Sequence, residues 1–182
     1  MIRLLRDPGI PVWAEDEVHF QQRTSVVRMW WPRGSQPQIP SAPTRKQVGY
    51  WGAVDIRTGR LCVQRHEDKF NWMTFHDFLD SFLRRQYRAN HRIAMVIDNA
   101  GYHKKKELWP FFKENKKRVR LLWLPPYSPN LNPIERVWRL TRRRVTHNRY
   151  FEDLEVLRES LDEFFFALKK PNIILRSLCA FD

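Results

Sequence analysis

The chain has only two cysteines, Cys62 and Cys179, and they lie far apart in the sequence without a CxxC pair. Such low cysteine usage argues against a disulfide framework and gives no sign of a structural zinc site. No apolar run approaches the ~20 residues that span a bilayer, and the N-terminus lacks the apolar core of a signal peptide. We therefore expect one soluble, intracellular domain over residues 1–182, with no membrane contact.

Negative charge is scarce as well, because 20 Asp and Glu stand against 33 Lys and Arg, for a net charge of +13 at pH 7. The excess is localised, since residues 101–150 contain 14 basic and three acidic side chains. A chain with this asymmetry is expected to bind a polyanion, with an affinity that falls as salt rises. The alternative is a basic face that is merely solvated.

One of the few acids, Asp16, lies where a carboxylate is costly. The strand predicted over residues 11–19 puts on one face the alternate residues Val12, Ala14, Asp16, Val18 and Phe20. Only Asp16 of three consecutive acids has apolar neighbours, and we interpret Glu15 and Glu17 as solvated. Burial of a lone carboxylate is expensive unless it is paired or binds a metal, so Asp16 indicates a nearby cation.

A second acid, Asp98, directly follows the apolar run Ile93–Ile97, which is typical of a central strand covered on both faces. Residues 99–101 then break the strand. The carboxyl end of such a strand is where open α/β sheets usually place ligand chemistry. The alternative is that Asp98 only caps the following turn.

A third acid, Glu135, is also a candidate functional residue, because it is the first acid after 14 uncharged residues, Leu121–Ile134. It begins a helix predicted over 133–147, close to the edge of a strand predicted over 118–124. A purely structural interpretation is strong here, because Asn132, Pro133 and Glu135 fit the N-cap, first and third positions of a capping box.

The same predicted helix carries basic residues beyond Glu135, and Arg139, Arg142 and Thr146 follow it at helical spacing. We interpret this face as a phosphate-binding strip, widened by neighbouring arginines. The predicted DNA-binding residues of the whole chain are Arg33, Lys104, Lys105, Arg136, Arg139, Arg142, Arg143 and Arg144.

The coarse pattern predicts an α/β fold that is rich in strands first and alternates afterwards. Strands are predicted at 11–19, 24–31, 48–56, 61–66, 92–98 and 118–124. Helices are predicted from Thr74, over 104–116 with an interruption at Pro110, over 133–147 and over 153–169. The irregular segment 32–47 is long enough to indicate a loop that is either mobile or functional, with DNA or another subunit as its expected contact. Asp55, a competing acid, is interpreted as an exposed strand end.

Four segments resemble the mariner-like transposases and the related bacterial insertion-sequence transposases. They are WAEDEVHF around Asp16, Trp31–Gly34, VIDNAGYH around Asp98, and LPPYSPNLNPIERVW around Glu135. The 36 residues between Asp98 and Glu135 are a usual spacing in that family. The resemblance implies a ribonuclease H-like fold, with a mixed central sheet flanked by helices, and an acidic triad of Asp16, Asp98 and Glu135. His103 matches a histidine of the family motif, and lies either near the site or in a surface loop.

The resemblance also implies chemistry and partners. Carboxylates are natural ligands of Mg²⁺, so we expect two Mg²⁺ ions, replaceable by Mn²⁺, with Asp16 bridging them and Asp98 and Glu135 each completing one shell. The implied reaction hydrolyses a strand at the transposon end and then transfers the freed 3′-hydroxyl to target DNA. The implied partners are double-stranded DNA and a second subunit in a homodimer. The implied location is the cytoplasm of a bacterium, in association with the nucleoid.

The sequence departs from the family pattern at its N-terminal side. Members of the family carry there a helix-turn-helix region that reads the transposon end, whereas the first strand of this sequence is already predicted at residue 11. We therefore expect the chain to lack this region, and to be a catalytic fragment, the product of a second reading frame or a truncated remnant. A separate DNA-reading module is then expected to be encoded upstream. Two other functions stay open at this point: a ribonuclease H-like nuclease that stops at hydrolysis, and a non-catalytic DNA-binding remnant.

Overall fold

The computed structural model describes residues 7, 9–87 and 92–180. Within them, one mixed sheet has the strand order β3-β2-β1-β4-β5. β1 is antiparallel to β2, β2 is antiparallel to β3, and β4 is parallel to both β1 and β5. The mixed central sheet expected from the sequence is therefore confirmed, with strands β1 Val12–Gln21, β2 Gln47–Asp55, β3 Leu61–His66, β4 Ile93–Ile97 and β5 Val119–Trp123.

Helices cover both faces of this sheet. Successive residues of β1 face opposite ways, so Val18 packs with Val137 and Leu161 in one core, while Trp13 packs with Phe82 in the other. All five residues of β4 are buried, as predicted for a strand covered on both sides. The helices are α1 Trp72–Gln86, α2 Trp109–Glu114, α3 Ile134–Thr141, α4 Leu154–Ala167 and α5 Ile173–Cys179.

Two predicted elements are wrong. The segment predicted as a strand over 24–31 has no strand pairing except an isolated bridge between Ser25 and His147. The basic segment 104–116 is not one interrupted helix, because two short 3-10 turns precede α2 and Pro110 lies in the first turn of α2. The short helix α5, which the sequence pattern did not reveal, begins where Asn172 accepts hydrogen bonds from the backbone of Ile174 and Leu175.

The predicted helix over 133–147 divides into α3 and a π-helical turn, Arg142–Thr146. After this turn, Asn148 has a left-handed backbone with φ 58°. Its Oδ1 accepts from the Val27 backbone N–H at 2.8 Å and its Nδ2 donates to the Val27 carbonyl at 3.1 Å. The end of this helical segment is thus bonded to the long irregular loop 22–46, which connects β1 to β2 and carries the almost fully exposed Trp30.

Candidate active site

Three elements that are far apart in sequence meet at one cavity of about 590 Å³. Its wall includes Asp16 from the middle of β1, Asp98 directly after β4, and Glu135 at the start of α3. The loop 124–129, which follows β5, forms another part of the wall. Parallel pairing of β1 with β4 and of β4 with β5 brings these segments to the same region of the sheet.

Asp16 projects from the face of β1 that packs against α3. Its Oδ2 accepts a hydrogen bond of 3.1 Å from Nε1 of Trp138. Burial raises the pKa of Asp16 well above its usual range, and the charges of Glu17, Glu135 and Asp98 raise it further. The bond from Trp138 opposes this rise. Such a site favours either a protonated carboxyl or a bound cation.

Asp98 is held in a defined orientation by its own turn. Its Oδ1 accepts from the backbone N–H of Ala100 at 2.8 Å and lies 3.0 Å from Nδ1 of His103. The contact with His103 is the main cause that lowers the pKa of Asp98. The turn-capping interpretation of Asp98 is therefore correct for one oxygen, while the residue also lines the cavity. The interpretation of His103 as a surface-loop residue is wrong, since only 1% of its side chain is exposed.

The capping box predicted around Glu135 does not form. Pro133 occupies the N-cap position of α3 and no side chain caps the helix. The side chain of Asn132 instead donates from Nδ2 to the backbone carbonyl of Glu15 in β1, at 2.8 Å. Asn132 is buried and lines the cavity, so it braces the strand that carries Asp16 against the helix that carries Glu135. Sequence reasoning assigned this residue only to helix capping.

Glu15 and Glu17 are not solvated, contrary to the sequence interpretation. Glu15 is fully buried, and neither of its carboxylate oxygens has a hydrogen-bond partner within the described part of the chain. Burial raises the pKa of Glu15 well above its usual range, and the neighbouring carboxylates of Glu17, Asp16 and Asp98 add to the rise. Burial also raises the pKa of Glu17, with Tyr102 and His103 acting in the opposite direction.

Asp55 ends β2 and its carboxylate accepts from the Arg57 backbone N–H at 2.9 Å and from the Thr58 hydroxyl at 2.7 Å. The strand-end role is therefore correct, although the side chain is buried rather than exposed. Asp55 does not line the cavity.

The predicted DNA-binding residues of the helix fall into two groups. Arg139, Arg143 and Arg144 are exposed. Arg136 instead donates from Nη1 to the carbonyls of Leu178 and Ala180, at 2.9 and 2.8 Å, so it ties α3 to the end of α5.

Two residues that the sequence placed on the basic strip, Arg142 and Thr146, are partly or fully buried instead. Arg142 is partly buried, with its guanidinium carbon 5.6 Å from the centre of the Phe20 ring. Thr146, which the sequence placed on the strip, is buried and donates from its hydroxyl to the Arg142 carbonyl. The exposed strip is therefore formed by Arg139, Arg143 and Arg144.

Lys104 is the predicted DNA-binding residue that lines the cavity itself. Its Nζ donates to Oδ1 of Asn99 and lies 5.3 Å from the centre of the Trp123 ring. Lys105 and Arg33 are exposed and do not line the cavity.

The acids at the cavity do not form a closely grouped set of metal ligands as they stand. Across residues 7, 9–87 and 92–180, no three His, Cys, Asp or Glu side chains are grouped closely enough to hold an ion as they stand. Asp16 and Asp98 each use one carboxylate oxygen for an internal hydrogen bond, and the other oxygen of each has no hydrogen bond to the described residues.

In the same described part of the chain, no helix combines the length and apolarity needed to cross a membrane.

The described sheet thus carries acids on β1 and directly after β4, and a third acid lies at the start of α3, the helix that follows β5. Residues 11–158 match the family model described as DDE superfamily endonuclease. The chain belongs to this family.

Curated relatives include the insertion element IS630 uncharacterized 39 kDa protein of Shigella sonnei, 30% identical over 138 residues, which are 76% of this chain and 39% of that protein. The transposable element Tcb1 transposase of Caenorhabditis briggsae is 30% identical over 167 residues, or 82% of this chain and 59% of that protein. The chain thus spans less than two thirds of the length of these relatives.

Among solved structures, the Mos1 mariner paired-end complex with Mn matches with a TM-score of 0.70 and 16% identity, covering 98% of this chain and 54% of that chain. The corresponding Mos1 complex with Mg gives a TM-score of 0.68 at 19% identity, covering 98% of this chain and 56% of that chain. At these identities the likeness establishes the fold, and it confirms the ribonuclease H-like prediction.

Proposed function

We propose that this chain is the catalytic domain of a DNA transposase, with Asp16, Asp98 and Glu135 as its catalytic and metal-binding residues. The observation that carries the proposal is the meeting of these three carboxylates at one cavity, in a chain of the DDE endonuclease family. The fold brings them there from three separate elements, and local packing alone does not account for such a set of acids.

The residues present fit divalent metal ions of the Mg²⁺ type. Carboxylate oxygens are the ligands that Mg²⁺ and Mn²⁺ prefer. Burial and the charges of Glu17, Glu135 and Asp98 raise the pKa of Asp16, and a bound cation would offset this unfavourable concentration of negative charge. Two such ions would stabilise the leaving oxygen and activate the attacking one in an in-line displacement at phosphorus. Since the carboxylates are not grouped as a ligand set as they stand, we expect their side chains to turn inward when a cation offsets their repulsion.

The surroundings of the triad orient a DNA strand. Lys104 is held by Asn99 and the Trp123 ring at the cavity wall, where its ammonium group can bind a phosphate next to the scissile bond. His103 and the Ala100 backbone fix Oδ1 of Asp98, so the orientation of this carboxylate is set before substrate binds. Such preorganisation is what a positioned catalytic group needs.

Outside the cavity, the exposed Arg139, Arg143 and Arg144 are proposed to bind phosphates of double-stranded DNA at the transposon end and at the target. Phosphate contacts position a duplex without reading its bases, so end recognition is assigned to a separate reader module. We further propose that the active complex is a homodimer and acts in the bacterial cytoplasm, at the nucleoid.

The proposal is tested with a labelled duplex that carries a transposon end and a plasmid target, in Mg²⁺, in Mn²⁺ and in EDTA. The parent protein should cleave the end and join its 3′-hydroxyl to the plasmid only with metal. Asp98→Asn should fold normally, as judged by circular dichroism, and abolish both reactions. Glu107→Gln is the matched control, because Glu107 is an exposed acid that does not line the cavity.

Each alternative has its own outcome in this experiment. Cleavage without joining would identify a nuclease that stops at hydrolysis. DNA binding without any metal-dependent cleavage would identify a non-catalytic remnant. Equal cleavage by Asp98→Asn and the parent would refute the triad assignment.

A further inference from the structure

Trp138 connects two of the three acidic positions through one helix. It lies three residues beyond Glu135 in α3, so the two side chains lie along the same side of the helix. Its Nε1 donates to Oδ2 of Asp16 at 3.1 Å. The indole ring is 1% exposed and makes edge contacts with Phe20 and Phe165, at centroid distances of 6.5 and 6.2 Å, which fix its orientation.

The neighbouring strand leaves space for this ring at one residue. Gly52 of β2 is paired directly opposite Asp16 of β1. A Cβ atom on Gly52 would lie 2.3 Å from Cη2 and 2.7 Å from Cζ2 of Trp138, both closer than van der Waals contact allows. The requirement at Gly52 is one of space rather than of backbone conformation. The absence of a side chain there admits the indole to the position beside Asp16.

We propose that Trp138 is a positioning residue for Asp16, an inference that rests on the proposed metal-dependent function. By holding Oδ2, the indole N–H fixes the carboxylate plane and leaves Oδ1 as the oxygen available to a divalent ion. Helix α3 then positions both acids, because it carries Glu135 itself and holds Asp16 through Trp138. The absence of a side chain at Gly52 provides the space that the indole ring needs. Partners that orient a metal ligand typically change metal affinity about 10- to 100-fold when they are removed.

The test compares Trp138→Phe with Trp51→Phe. Trp51 is also fully buried and precedes Gly52 on the same strand, but its Nε1 has no hydrogen-bond partner in the described residues. Both variants lose an indole N–H and ring volume, and only Trp138→Phe loses a bond to Asp16. Mn²⁺ affinity is measured by titration calorimetry, and the melting temperature is measured without metal.

We expect both variants to melt at lower temperature, because each leaves space in a core. Only Trp138→Phe should also weaken Mn²⁺ binding, by about 10- to 100-fold. Equal Mn²⁺ affinities of Trp138→Phe and the parent would overturn the inference. A parent protein that binds no Mn²⁺ would instead refute the proposed function.

A second measurement decides the inference without metal and without a Trp138 variant. In ¹⁵N-labelled protein, the indole N–H resonance of Trp138 is identified by its through-space contacts to Phe20 and Phe165. Asp16→Ala should shift this resonance and accelerate its exchange with solvent more than those of the other seven tryptophans. An unchanged Trp138 resonance in Asp16→Ala would show that the bond is absent and would overturn the inference.

Discussion

The exposed arginines at the end of the α3 segment allow a quantitative prediction for DNA binding. Arg143 and Arg144 make no ion pair with the described residues, so both are available to phosphates. The double substitution Arg143→Ala, Arg144→Ala should weaken binding to duplexes of unrelated sequence alike. The reason is that phosphate contacts carry affinity but no direct base readout.

The magnitude follows from counterion release. Each phosphate contact contributes about 0.9 to the slope of log affinity against log salt, so the loss of two contacts should flatten the slope by ~1.8. Between about 50 and 200 mM salt, the parent should therefore lose roughly 12-fold more affinity than the variant.

The assay is fluorescence anisotropy with a transposon-end duplex and a scrambled duplex, at several salt concentrations. The matched control is Arg84→Ala, Arg85→Ala, a consecutive exposed pair in the last turn of α1 that carries the same charge. The control should keep nearly the slope of the parent. Equal flattening by both pairs would show that net charge, rather than the strip, determines binding. A strong preference of the parent for the end duplex would show that this domain itself reads bases.

Three further predictions concern stability. Burial raises the pKa of Glu15 in the folded state. In metal-free protein, the stabilising contribution of protonated Glu15 is therefore complete below its unfolded-state pKa of ~4.3. This contribution is lost as pH rises through the folded-state pKa. Glu15→Gln should flatten this decline in melting curves recorded from acidic to alkaline pH, and a slope equal to that of the parent would contradict the assignment. Mg²⁺ or Mn²⁺ should raise the melting temperature of the parent protein, because the ions bind the folded state. The rise should be smaller in Asp98→Asn. If millimolar metal does not raise the melting temperature of the parent, the proposed metal site is contradicted. Asn132→Ala should cost about 1–3 kcal/mol in urea unfolding, because the Glu15 carbonyl loses its buried donor, and a cost near zero would remove Asn132 as a brace.

The three catalytic candidates could be predicted because each interrupts a strong local pattern, but the environment of Glu15 could not. Alternation along β1 assigns Asp16 and Glu15 to opposite faces, and this much is correct. The inference that the second face meets water assumed a sheet with one covered side. β1 lies in the middle of a sheet covered on both sides, a property of the tertiary fold that its own sequence does not express.

The segment after β1 shows the opposite error. Val26, Val27, Trp30 and Trp31 have the composition of a strand, yet all four are exposed and make no strand pairing. β-propensity describes how well a residue fits a half-buried pleated surface, and it cannot supply a missing partner strand. The π-helical turn Arg142–Thr146 could not be predicted either. The sequence was interpreted with one regular helical spacing over 133–147, and such a spacing does not reveal where the helix type changes.

The attachment of Asn148 to Val27 limits how the long loop can move. Its side-chain amide satisfies both backbone polar groups of Val27, as a neighbouring strand would, while its own N–H donates to the Ser25 carbonyl. The first residues of the loop are therefore hydrogen-bonded directly to the residue that follows the basic helical segment. We therefore expect any movement of the exposed Trp30 to begin beyond Val27. A probe placed at Ser25 should then report on the helical segment, and one at Trp30 should report on the loop.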